Sequence, residues 1–181
     1  MKSIFHFLVQ PKGGKRYDNV KDLGEGKKLV VSTSQEDHKA TNRYATVIAL
    51  PHNYDGEISV GDEVIVHHNI FRKYSDMKGR EKSGSAHVFE NYYVVDDMEL
   101  FLYRNPNGEW KAPSPYMFVS PLPSDDMGSF KKLYGTIEYS SDPNINSGEI
   151  VSFQPDSEYE FKIDNKLMYR MYKRNLVWKN Q

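Results

Sequence analysis

Several stretches carry residue types that could do chemistry. GEGKK at 24–28 has the glycines and lysines of a phosphate loop. Such a loop needs the full glycine spacing, a Lys-Ser or Lys-Thr pair and a helix behind it to aim N–H groups at the phosphates, and none of these follows. His67 and His68 are adjacent, so in a strand they point to opposite faces and do not chelate one metal together. His6, His38, His52 and His87 are scattered and there is no cysteine, so the three or four convergent ligands that zinc requires are not assembled. Asp96-Asp97 and Asp125-Asp126 sit in turn-like contexts, where paired acids cap or turn the chain. No Ser-His-Asp or paired-carboxylate spacing stands out. The sequence thus predicts no catalytic residue, no metal and no cofactor, and the chain reads as a protein without enzymatic activity.

Two stretches remain. The tail MYRMYKRNLVWK, 168–179, is basic and aromatic without an acid, which suits a single-stranded nucleic-acid surface of stacking rings and cations. It equally suits a strand in which Met168, Met171, Leu176 and Trp178 pack while Arg170, Lys173 and Arg174 face water. A net charge of -1, from 24 Lys and Arg against 25 Asp and Glu, argues against nucleic acid. The other stretch, GEGKKLVVSTSQEDHKATNR at 24–43, is polar and charged except for Leu29, Val30 and Val31. Three apolar residues are too few for an amphipathic helix; they form either a short strand or a loop with an apolar tip.

The elements that position these residues are strands. The 181 residues suit one domain or two small ones. At 38% hydrophobic content the cores are modest. The absence of cysteine excludes disulfides and thiolate chemistry. The apolar run in MKSIFHFLVQPKGG is too short for a signal peptide and no run approaches a membrane span, so the expected location is cytoplasmic, away from membranes. IFHFLVQP, YATVIALP, GDEVIVHH, ENYYVVDD, ELFLYRN, PYMFVSP, YGTIEY, GEIVSFQP, YEFKI and LMYRMY all read as strands bounded by turn residues. No helix of three turns is evident. The predicted class is all-β, as small antiparallel barrels or sandwiches.

The chain also resembles itself. Phe7–Pro11 (FLVQP) matches Met117–Pro121 (MFVSP), and YATVI at 44–48 matches YGTIE at 134–138. ISVGDEVIV at 58–66 matches INSGEIVSF at 145–153, and YVVDD at 93–97 matches FKIDN at 161–165, each followed by a Tyr-Arg pair, Tyr103-Arg104 and Tyr169-Arg170. Four matches in one order predict two copies of a β unit, 1–105 and 113–181, joined by the turn-rich NPNGEWKAPSP at 105–115. Between Pro11 and Tyr44 lie 32 residues, but only 12 lie between Pro121 and Tyr134. The surplus of 20 is the polar segment with the apolar tripeptide, so the fold of the unit does not need it. A second insertion at 69–91, charged and rich in Gly and Ser, stands where the second copy has only PDSEYE, and reads as a solvated hairpin or loop.

In this order the motifs resemble the GroES-type co-chaperonins: an early FLVQP strand, a long polar loop with an apolar tripeptide, then YATVIAL, ISVGDEVIV and YYVVDD. The second copy continues the likeness with GEIVSF at 148–153, KLMY at 166–169 and RNLVW at 174–178, the last where the family has its closing strand. The resemblance covers most of the chain as two GroES-like units in tandem, with order more specific than any single motif. It implies two small β-barrels, the first with a long mobile loop at 15–43. It also implies a homo-oligomeric ring paired through terminal strands, and nucleotide-dependent capping of a GroEL-type chaperonin whose clients are unfolded proteins. Leu29, Val30 and Val31 map to the tripeptide that docks on the chaperonin, with Gly24 and Gly26 as hinge residues before it. Three departures are visible. The second unit has no such loop, PHNYDGE at 51–57 is too short for the family's roof hairpin, and the 69–91 insertion has no counterpart.

The energetics of such a loop suit a weak, reversible contact. Burying three side chains gains roughly 1.5–3 kcal/mol each, whereas ordering ten or so residues costs about 1–2 kcal/mol per residue. Several loops on one ring would gain about 10²–10⁴ in avidity. Three alternatives stay open. LVVST also reads as an edge strand of the first barrel, and the whole chain as a structural or assembly protein that uses GroES-like barrels to oligomerise. GroES-like barrels also occur in zinc-dependent dehydrogenases, but the nucleotide-binding domain and cysteine ligands of those enzymes are absent here.

Overall fold

The computed structural model describes residues 3, 5–17, 20–22, 28–30, 41–124, 129–163 and 166–179. The chain divides into two compact units, Met1–Glu109 and Trp110–Gln181. In the first unit the strands are β1 (Phe7–Pro11), β2 (Val20–Asp22), β3 (Lys28–Val30), β4 (Tyr44–Ala49), β5 (Glu63–Val66), β6 (Lys73–Ser75), β7 (Glu81–Ser83), β8 (His87–Phe89), β9 (Tyr92–Val95) and β10 (Leu100–Arg104). The second unit holds β11 (Tyr116–Pro123), β12 (Phe130–Ser140), β13 (Ile150–Phe153), β14 (Tyr159–Ile163), β15 (Lys166–Tyr172) and β16 (Leu176–Lys179). The protein is all-β: among the described residues the only helical turns are two short 3-10 turns, Lys12–Gly14 and Lys173–Asn175.

Each unit is built on one six-stranded antiparallel sheet. The first has the order β10-β5-β4-β1-β9-β8 and the second β14-β15-β11-β12-β13-β16. Read in the same direction, these are one topology. β1, β4, β5, β8, β9 and β10 correspond to β11, β12, β13, β14, β15 and β16. The registers agree as well. Val9, Gln10 and Pro11 lie opposite Val47, Thr46 and Ala45; Val119, Ser120 and Pro121 lie opposite Ile137, Thr136 and Gly135. Both ladders carry a bulge just before that Val, at Leu8/Val9 and Phe118/Val119, and both edge ladders are bulged where β10 and β16 cross β5 and β13. The turns into β5 and β13 repeat too. Val47 N donates to Asp62 O (2.9 Å) and receives Gly61 N (2.8 Å) on its own carbonyl; Ile137 does the same with Glu149 and Gly148. Gly61 and Gly148 have φ 94° and 89°, a left-handed conformation that glycine adopts without penalty.

The alternation of the strands produces the cores. Met117, Val119, Ile137, Val151, Phe153 and Met171 pack together in the second unit. Their positional equivalents Phe7, Val9, Val47, Val64, Val66 and Val95 all lie in the core of the first. That core also takes in Ile70 and Phe71, and Phe71 meets Tyr93 edge-to-face at 4.8 Å. The 69–91 segment is therefore not simply a solvated loop: it begins as a core-forming turn and becomes a β6–β7 hairpin only beyond Arg72.

Three expectations are corrected. The sheets do not close into barrels; among the described residues the first ladder ends at β8 and β10 and the second at β14 and β16. Closure requires a tilted ladder with a consistent register stagger, and at the β8 edge the ladder has only three residues with a register break against β9. The fourth sequence match is also shifted by one strand. Tyr93 faces Val9 and Tyr169 faces Val119, so Tyr169 corresponds to Tyr93, not Tyr103. Short alternating runs look alike and do not specify their neighbour. Finally, β5 ends at Val66, so His67 and His68 lie in a turn with their rings 4.2 Å apart rather than on opposite faces.

Candidate docking site

The first unit departs from the shared ladder immediately after Pro11. In the second unit β11 runs on through Leu122 to Pro123, opposite Phe130. In the first, Gly13 and Gly14 take φ 68° and 70° and turn the chain out of the sheet. The outgoing and returning strands stay together. Tyr17 forms a bridge with Thr41, Asn42 N donates to Arg16 O at 3.0 Å, and the Asn42 amide donates to Lys15 O at 2.7 Å. Beyond this neck, β2 and β3 pair in the register Val20↔Val30, Lys21↔Leu29 and Asp22↔Lys28. Two of the three predicted contact residues, Leu29 and Val30, thus stand in β3, which pairs with β2 and not with the six-stranded sheet. Val31, Gly24 and Gly26 lie outside the described residues.

The neck is braced by the 69–91 segment, whose β6–β7 hairpin has no counterpart among the described strands of the second unit. Arg16 donates from Nε to Phe71 O (2.8 Å), from Nη2 to Arg72 O (3.0 Å) and from Nη1 to Ser83 Oγ (3.0 Å). Its guanidinium also lies 5.4 Å from the centroid of the Tyr93 ring. The Tyr17 hydroxyl accepts from Lys73 N at 2.7 Å, and the Asn91 amide donates to Gly14 O at 3.3 Å. Hydrogen bonds from a charged donor are worth about 1.5–3 kcal/mol, so Arg16 is a strong anchor. Burial pushes the Tyr93 phenol up, and Arg16 offsets part of that rise. A second tie runs from Lys12, which pairs with Glu63; Arg104 reaches the same carboxylate at 2.6 and 2.9 Å. Burial raises the Glu63 carboxyl, but the hydrogen bonds from Lys12 and Arg104 outweigh it and hold the group below the usual range.

None of these bracing residues was singled out from the sequence. Arg16 reaches partners 55 to 67 positions away, a separation that no local pattern reports. The sequence signal was indirect: both insertions belong to the same unit. Among the described residues no three His, Asp or Glu side chains gather to hold a metal, and none of the described helical segments could cross a membrane. In the basic tail, Arg170 lies 3.7 Å over the Tyr116 ring and Arg174 4.7 Å over Tyr172. Tyr116 is itself buried, so its ring and the Arg170 cation are engaged inside the unit. No family model matches the chain, and no curated protein matches it.

Proposed function

We propose that this protein is a non-enzymatic docking protein of the GroES-like co-chaperonin kind, which caps a GroEL-type chaperonin ring in the presence of nucleotide. The observation that carries the reading is the β2–β3 hairpin. It is mounted on one of two otherwise equivalent sheets, stands outside that sheet's ladder, and is braced at its neck by Arg16 and Tyr17. A segment that the fold does not need, yet which is anchored by long-range hydrogen bonds, is consistent with a recognition element. Leu29, Val30 and Val31 would make the contact, and ATP hydrolysis would belong to the partner. Tandem GroES-like units and ring formation through terminal strands belong to the same proposal.

The test is co-sedimentation with a GroEL-type ring, with and without nucleotide, comparing wild type with Val30→Asp. Nucleotide-dependent binding by wild type and its loss in Val30→Asp are expected. A well-folded wild type that ignores the chaperonin of its own host would sink the reading. One observation favours a second reading, an assembly module without chaperonin activity: Leu29 and Val30 are already paired in a strand. In that case neither wild type nor Val30→Asp would respond to the chaperonin, and Val30→Asp would change the oligomeric state in gel filtration.

A further inference from the structure

Beside the neck, Asn69, Arg72, Tyr74, Gly84 and Ser85 line an open cavity of about 290 Å³. The backbone around it is fixed. Arg72 O accepts from Arg16 Nη2 and from Gly84 N (3.4 Å), and Arg72 N donates to Asn69 O (3.3 Å). The Arg72 side chain is less settled: its Nε is buried and has no hydrogen-bond partner among the described residues. Arg72 also lines the open cavity, and for a guanidinium presented there the natural acceptor is an oxyanion. The surroundings agree in sign. Residues 72–82 hold five cations, Arg72, Lys73, Lys78, Arg80 and Lys82, against Asp76 and Glu81, in a chain whose net charge is -1.

We infer that this cavity receives a carboxylate, presented by an Asp or Glu side chain of a partner protein, with Arg72 as its counter-ion. The donor set fits a planar monoanion better than a phosphate. Two neighbouring cations are occupied: Lys73 pairs with Glu81 at 2.6 Å and Arg16 is spent on two carbonyls and Ser83. Of the cavity's own lining, the Arg72 guanidinium, the Asn69 amide and the Ser85 hydroxyl are enough for two carboxylate oxygens. The volume suits a single side chain. The half-exposed Tyr74 ring and the fully exposed Met77 at the tip of the β6–β7 hairpin offer apolar surface to the residues flanking the acid. This site does not depend on the partner being a chaperonin.

The test is an NMR titration at constant ionic strength with the peptide acetyl-Ala-Glu-Ala-amide, its Gln counterpart, and inorganic phosphate. Saturable shifts at the amides of Tyr74, Gly84 and Ser85 are expected with the Glu peptide alone. Arg72→Gln should weaken that binding about ten- to a hundredfold, and Arg72→Lys nearly as much, because a lysine lacks the fork. Since Arg72→Gln removes an unsatisfied buried donor, the variant should melt no lower than wild type. If it does unfold, Ser85→Trp, which fills the cavity, should abolish binding in its place. Equal response to the Gln peptide, binding of phosphate without binding of the Glu peptide, unchanged affinity in the variants, or no saturable shift would each overturn the inference.

Discussion

At Pro11 and Pro121 the two units stand at the same point of the same ladder, opposite Ala45 and Gly135, and the next residues separate them. In the second unit Leu122 continues the strand and a short hairpin closes it. In the first, Lys12 turns out of the sheet and pairs with Glu63, where the second unit has Ile150. Arg16 then clamps the departing chain to the 69–91 segment. The difference teaches which residues serve the sheet and which serve the excursion. Whatever the units share, including the bulges and the left-handed Gly61 and Gly148, builds the ladder. Glu63, Arg16, Tyr17 and Asn42 have no matching role in the second unit, and they hold the hairpin.

Changes at the shared positions should break both halves of the comparison, beginning with the largest effect. A Cβ on Gly135 would collide with Val119 and stand 2.6 Å from Ser120 O. Gly135→Val should therefore destabilise the second unit by about 3 kcal/mol through overpacking. Urea unfolding followed by Trp178 fluorescence checks this, since that ring packs on Tyr134. In the first unit Ala45 already occupies the equivalent site, and Ala45→Gly should cost only about 1 kcal/mol.

Changes to the brace should separate the units. Arg16→Ala removes three charged hydrogen bonds and should cost the first unit about 2 kcal/mol, speeding amide hydrogen exchange at Arg72, Lys73 and Gly84 while leaving the second sheet unchanged. If the second sheet's exchange rose equally, the brace would not be local to the first unit. The smaller contribution of Glu63 is pH-dependent. Its folded pKa is depressed, so its stabilisation is present above the ordinary carboxylate pKa and is lost as pH falls through the lower folded value. Glu63→Gln should cost about 1 kcal/mol at neutral pH and reduce the acid sensitivity of the first unit, as read by exchange at Val64 across an acid titration. Acid sensitivity of the second unit should persist in that variant. Burial raises Glu138, but hydrogen bonds from Lys166 and Ser120 prevail and keep it low.

The strands of the two sheets were largely legible because alternation is a local property. YATVIA reads as a strand and lies in one with Ala45, Val47 and Ala49 buried. The first three repeat matches were legible for the same reason, and they agree with the ladder registers. What was hidden depends on distance in the sequence. The pairing of β9 rather than β10 with β1 cannot be told from two runs that both contain a Tyr. Polar flanks masked Ile70 and Phe71 as core residues. At the candidate site, the location of the excursion was readable from the length difference between the copies. Its pairing into β2 and β3 was not, because three-residue strands carry no periodicity. The brace was invisible, since Arg16 has no signature until the chain is folded.

The two insertions also alter how far the chain must travel to close its central ladder. Val9 and Tyr93 are 84 positions apart, whereas Val119 and Tyr169 are 50 apart. The longer loop costs about 0.5 kcal/mol more to close, worth roughly a twofold difference in rate if closure limits folding. Pulsed hydrogen exchange should therefore find β15 protected before β9, and the reverse order would show that closure does not limit folding. On a ribosome the order is set by emergence instead. Tyr93 is made 76 positions before Tyr169, so the first half can close its longer loop while the partner strand of the second half is still unmade.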